Sequence, residues 1–193
     1  PPGEEQPDQF TYDPDNPVVT VGGANCCSPH IVPWGPLDQG PVEMRSDVLC
    51  YTSAPMEEDL EVTGPIKLVL FAATDGRDTD WTGKLVDVYP DGYAMNLTDS
   101  ILRARFREDI RNPSLLEPGK VYEYEIDLWV VGNVFRKGHR VRLEVSSSNF
   151  PRFDRNPNTG NPFGRDAELR IAQQQVHHST TYPSHLLLPV IPK

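Results

Sequence analysis

Apolar and polar residues alternate with a period of two along much of this chain. Val141, Leu143 and Val145 alternate with Arg142, Glu144 and Ser146. Tyr122, Tyr124, Ile126, Leu128 and Val130 alternate with Glu123, Glu125, Asp127 and Trp129, and Leu102, Ala104 and Phe106 with Arg103, Arg105 and Arg107. Successive side chains of a strand point to opposite faces, so each segment predicts a strand with one face on a core and one in water. Ile66 to Phe71 is a nearly unbroken apolar run and predicts a strand covered on both faces. Val48–Thr52, Lys84–Tyr89, Ala172–His178 and Leu186–Val190 add further strands. Arg165–Gln175 carries helix-favouring residues, but its spacing fits a strand nearly as well.

Turn chemistry separates these segments at Thr63-Gly64-Pro65, Pro90-Asp91-Gly92, Glu117-Pro118-Gly119 and Lys137-Gly138. Many short strands at such spacing predict an all-β sandwich or barrel. Residues 1–41 differ. They are rich in Pro, Gly, Asp and Asn, with Tyr12-Asp13-Pro14-Asp15-Asn16-Pro17 as turn or linker chemistry. We expect an extended arm over 1–41, with little regular structure of its own, and a sandwich over 42–193.

Composition narrows the functions. The 193 residues suffice for one domain with a core. A net charge of -10 repels phosphate backbones, which argues against a nucleic-acid partner. No segment approaches the ~18 continuous apolar residues of a membrane helix, so no membrane partner is expected. The chain opens on Pro1 rather than Met, with no signal-peptide pattern, and a processed chain or a piece of a longer protein is expected. Three cysteines, Cys26, Cys27 and Cys50, are an odd number without zinc spacing. Free, mostly buried thiols are expected, and they favour a reducing, cytoplasmic setting only slightly.

The residues supply no catalytic constellation. The nucleophile elbow G-x-S-x-G is absent, and Ser146-Ser147-Ser148 lacks the glycines that permit that strained turn. Among His30, His139, His177, His178 and His185 no pair has metal-ligand spacing. His177 and His178 would face opposite sides of a strand, and His139 is expected to satisfy a turn or cross-strand hydrogen bond. Asp75, Asp78 and Asp80 raise a calcium reading, since calcium takes about six to eight oxygens. The alternative is structural: Asp78 and Asp80 capping a turn and pairing with Arg77, Lys84 or a neighbouring-strand arginine. No G-K-[ST] phosphate loop occurs. No catalytic residue, metal or cofactor is assigned.

Several blocks together resemble one family. They are Tyr12-Asp13-Pro14 with Pro17 and Gly22-Gly23; Gly35-Pro36-Leu37-Asp38-Gln39; Asp47 to Ser53; Leu60 to Pro65; Asp78-Thr79-Asp80-Trp81; and Lys84 to Gly92. Gly138-His139-Arg140, Ser146 to Asn156 and Pro183 to Val190 continue the match. In order and spacing these resemble the C-terminal, non-catalytic domain of cocaine-esterase-like and X-Pro dipeptidyl-peptidase serine hydrolases. The resemblance implies a jelly-roll β-sandwich of galactose-binding-domain type. It implies an α/β-hydrolase domain of the same parent chain as partner, with self-association as a homo-oligomer left open. The parent would cleave esters, amides or X-Pro peptides, and this chain alone would stabilise it without catalysing. It also implies that the loop after Gly22-Gly23, with Asn25, Cys26 and Cys27, faces the parent's acyl pocket. The alternative is a carbohydrate-binding module using Trp34, Trp81 or Trp129, of which Trp81 and Trp129 are expected to pack in or beside the sandwich.

Overall fold

The computed structural model describes residues 3–25, 30–31, 33–162, 164–165 and 167–192. Its elements in chain order are β1 (Asp8–Tyr12), the one-turn helix α1 (Gly40–Glu43), β2 (Leu49–Thr52), β3 (Leu60–Thr74), β4 (Asp80–Val88), β5 (Ala94–Arg103), β6 (Tyr122–Phe135), β7 (Arg140–Ser146), β8 (Ala172–His177) and β9 (His185–Leu187). They form two antiparallel sheets. The first runs β1-β8-β3-β6, with β9 also paired to β3; the second runs β2-β7-β4-β5. The all-β sandwich is therefore the observed architecture.

The inward residues of both sheets meet in one core. Leu68, Leu70, Tyr124, Ile126 and Leu128 of the first sheet pack with Trp81, Leu85 and Val145 of the second, and all are essentially inaccessible. Gly83 makes room for this packing, because a Cβ there would lie 2.9 Å from Leu68 Cδ2 and 3.0 Å from Leu128 Cδ2. At one edge the sandwich is stitched shut between sheets, where Thr98 Oγ1 of β5 donates to Leu128 O of β6 at 2.6 Å.

Four sequence expectations are corrected. Thr63-Gly64-Pro65 does not turn the chain. It lies inside β3, opposite Gly132, Val131 and Val130, and the register shifts between Pro65 and Lys67. Proline lacks the N–H that a regular ladder needs, so the strand carries a bulge instead of ending. The Leu102–Phe106 strand stops at Arg103, and Ala104–Phe106 is a 3-10 turn. Arg105 N donates to Asp78 Oδ1 at 3.0 Å and Ala104 N to Thr79 O at 2.9 Å, which takes the backbone away from the ladder. Trp129 is 65% exposed rather than packed, because it shares the outward phase of Glu123, Glu125 and Asp127; the bulge beside it, where Trp129 takes φ 66°, also leaves Val130, expected inward, 72% exposed. Cys50 lies exposed on edge strand β2 rather than buried.

Within the arm, Asp8–Tyr12 is strand β1, zipped to β8 from Asp8↔Val176 to Tyr12↔Ala172. Phe10 and Tyr12 enter the core, with the Phe10 ring edge-on to Trp81 at 6.3 Å. The arm then crosses the outer face of the second sheet.

Candidate functional site

β4 is buried along all nine residues, although its sequence alternates Asp, Thr, Lys and Asp with apolar residues. Its inner face meets the core. Its outer face meets the arm and the Ser146–Asn156 segment, and polar groups hold that layer. Lys84 Nζ donates to Gln39 Oε1 at 2.6 Å and to Glu144 Oε2 at 2.8 Å. Gln39 Nε2 donates onward to Val21 O and Leu37 O, both at 3.0 Å. Arg142 Nη1 reaches Glu43 Oε2 of α1 at 2.5 Å. Val18, Val42 and Val48 form a small apolar cluster in the same layer. Burial pushes the Glu144 carboxyl up; Lys84 opposes this and Glu43 adds to it.

Ser146 and Ser148 belong to the same layer, whereas Ser147 points inward to β8 of the other sheet. Thr82 and Ser146 share a hydroxyl hydrogen bond at 2.6 Å. Ser147 Oγ accepts from Gln174 Nε2 at 2.8 Å, and Ser148 Oγ accepts from Val18 N at 2.8 Å. Each hydroxyl ties one segment to another, and none meets a histidine in a nucleophile-base pair. His139 Nδ1 pairs with Asp87 Oδ1 at 2.9 Å beside the Tyr89 ring, the structural role expected of it.

The loop after Gly22-Gly23 is pinched at its neck. Gly23 N donates to Gly35 O at 2.8 Å and Gly35 N returns a bond to Gly23 O at 2.9 Å. Gly22 has φ 67°, and a Cβ there would lie 2.5 Å from Gly35 O, so only glycine closes the neck. Asn25 is half-buried and spends its side chain on this closure: Nδ2 donates to Gly22 O at 2.6 Å. Cys26 and Cys27 lie outside the described residues. Below the neck, Arg152 and Asn149 Nδ2 both bind the buried Asp99 carboxylate of β5. Outside it, Ile31 is 77% and Trp34 48% exposed, and Val19 and Phe150, bridged to each other, are also exposed. A hydrogen-bonded base thus stands beside exposed apolar side chains.

Asp78 and Asp80 are fully buried, and their oxygens are taken by side chains. Arg103 binds Asp80 through Nε at 2.9 Å and Nη2 at 3.0 Å. Arg105 Nε binds Asp78 at 2.7 Å, and Asn156 Nδ2 bridges the two carboxylates at 3.0 and 2.8 Å. Burial raises Asp80 to about 6 against the pull of Arg103. Asp75 stands apart, half-exposed, with Arg170 at 3.2 Å. The three carboxylates do not converge, and among the described residues no cluster of three His, Cys, Asp or Glu could hold a metal. Of the expected partners it is the neighbouring-strand arginine, Arg103 at the end of β5, that pairs, joined by Arg105 from the 3-10 turn, rather than Arg77 or Lys84.

The model of the X-Pro dipeptidyl-peptidase C-terminal non-catalytic domain family matches residues 1–187. Cocaine esterase of Rhodococcus sp. (strain MB1 Bresler) is 45% identical over 191 residues, 98% of this chain and 33% of that protein. Among solved structures, an aminopeptidase from the marine sediment archaeon Thaumarchaeota archaeon superposes with a TM-score of 0.90 at 36% identity, covering 99% of this chain and 34% of that one. An α-amino acid ester hydrolase superposes with 0.89 at 33% identity, covering 98% and 33%. The chain spans about a third of the length of these relatives. Nothing among them favours the carbohydrate-binding alternative, and Trp81 is completely buried and unable to meet a sugar.

Proposed function

Because the chain belongs to the X-Pro dipeptidyl-peptidase C-terminal non-catalytic domain family, we propose that it stabilises a serine acyl-hydrolase domain and walls that domain's acyl pocket. The observation that carries this reading is the pinched 23–35 loop with its exposed Ile31 and Trp34, standing on the buried Asp99–Arg152–Asn149 base. Exposed apolar side chains grouped at the surface are what a permanent interface buries. Val19 and Phe150 extend the patch beside the loop, and Trp129 and Val130 lie exposed on β6, the strand stitched to β5. The named activities of the relatives share one chemistry, scission of an acyl C–O or C–N bond. The parent of this chain performs that scission with residues that lie elsewhere, and Asn25, Cys26 and Cys27 supply part of the wall.

The test is made on the hydrolase that carries this domain. Cys26→Leu and Cys27→Phe narrow the wall, so KM rises several-fold for a bulky acyl ester and stays nearly constant for an acetyl ester, with the melting temperature unchanged. An equal effect on both esters, or none on either, contradicts the pocket-wall role.

A further inference from the structure

The sandwich is joined at the β5–β6 edge by Thr98, and at the other edge Tyr51 of β2 reaches Asp8 of β1 beside a gap between the sheets. There the strands are short, four residues in β2 and three in β9. The gap is a cleft of about 520 Å³, within the ~300–1,000 Å³ of small-molecule sites. Its floor is core: Leu68, Leu70, Val145 and Val176 are each no more than 1% exposed, and Leu143 of β7 and Leu186 of β9 line it from the two sheets. The cleft therefore enters between the sheets rather than lying across one of them.

The chemistry of the lining selects the occupant. Packed sheets stand ~10 Å apart, which leaves room for one chain's width. The polar groups at the rim are engaged with protein partners. Tyr51 OH donates to Asp8 Oδ2 at 2.9 Å, and His178 pairs with Asp8 at 3.1 Å and Glu5 at 2.9 Å. Ser53 and Ser184 hydroxyls bond Ala54 O and His177 O. The side chains of this lining offer a threaded peptide's backbone N–H and C=O groups no partner, which is costly wherever those groups leave the edges of β2 and β9. A hydrocarbon chain has no such groups.

We propose that this cleft binds the alkyl chain of a small single-chain amphiphile, its head group left in water beside Tyr51 and His178. The site is separate from the 23–35 loop. β2 and β5 are opposite edges of the second sheet, so the cleft and that loop lie toward opposite ends of the sandwich.

The experiment titrates the 193-residue chain with straight-chain primary alcohols of increasing length. Affinity should rise about four-fold per added methylene, the gain from burying one CH₂, and stop rising once the cleft is full. Leu143→Trp and Leu186→Trp, from the two sheets, should each reduce binding at least ten-fold while the chain keeps its far-UV spectrum. Leu143→Ala should move the cut-off to longer alcohols. Binding that is absent, that is flat with chain length, or that survives both tryptophans with the fold intact overturns the proposal.

Discussion

Lys84 shows what a single side chain holds together. It is 8% exposed and is the shared partner of Gln39 in the arm and Glu144 in β7. Removing one partner of a buried ion pair strands the other charge, at a cost of about 3–5 kcal/mol, whereas replacing both with apolar residues is often close to neutral. Lys84→Met should therefore lower the urea-unfolding free energy by about 3–5 kcal/mol, and Lys84→Met with Glu144→Leu should recover most of it. Asp80 makes a different test. Burial raises it from 3.8 to about 6, so the native state holds its proton over a range where the unfolded chain has released it. Stability from this group is full below pH 4 and is lost as pH rises through about 6. The stability difference between wild type and Asp80→Asn should accordingly shrink from pH 4 to pH 6 in denaturant titrations, and a constant difference would show that Asp80 titrates normally. These roles were only partly legible. The pairing of Asp78 and Asp80 with arginines follows from the burial rule for charges, but which arginines depended on where β5 ends, and the 3-10 turn that delivers Arg105 has no signature in an alternating Leu-Arg-Ala-Arg-Phe run.

Among the elements, period-two segments with long alternation, β6 and β7, were readable directly, because one face of each meets the core. β4 was readable as a strand but not as a strand buried on both faces, since its second cover comes from an arm far away in sequence and consists of polar contacts. β1 was hidden for the opposite reason: Asp-Gln-Phe-Thr-Tyr offers two apolar residues between proline-rich flanks, and only pairing with β8 makes it a strand. Gly-Pro signals a turn and a bulge alike, so Gly64-Pro65 does not by itself distinguish the β3–β6 bulge from a turn. That bulge leaves Trp129 with φ 66°, a conformation that is strained for an L-residue with a Cβ. Trp129→Gly should raise the melting temperature of the isolated chain, by the equivalent of about 1 kcal/mol. It should weaken association with the hydrolase portion if the exposed ring is held out for an interface. A variant that melts lower would show that the ring is held by contacts rather than by the bulge.

The whole molecule is a sandwich with two unlike edges. One is stitched shut and stands beside the arm's pinched loop; the other holds an apolar cleft. The fold and the family were visible in the sequence because the matching blocks run through nearly the entire chain. The face that would meet a hydrolase was visible only as a loop position, since the exposure of Ile31, Trp34, Val19 and Phe150 is set by tertiary packing that their sequence does not encode locally. The most direct test of the accessory role mixes the purified chain with the separately expressed hydrolase portion of its parent, measuring binding by calorimetry and ester hydrolysis in the same samples. The account predicts sub-micromolar binding, recovery of hydrolase activity and stability on mixing, and loss of both with Ile31→Asp and Trp34→Asp. A hydrolase portion that is fully stable and active alone, and that does not bind this chain, would contradict it.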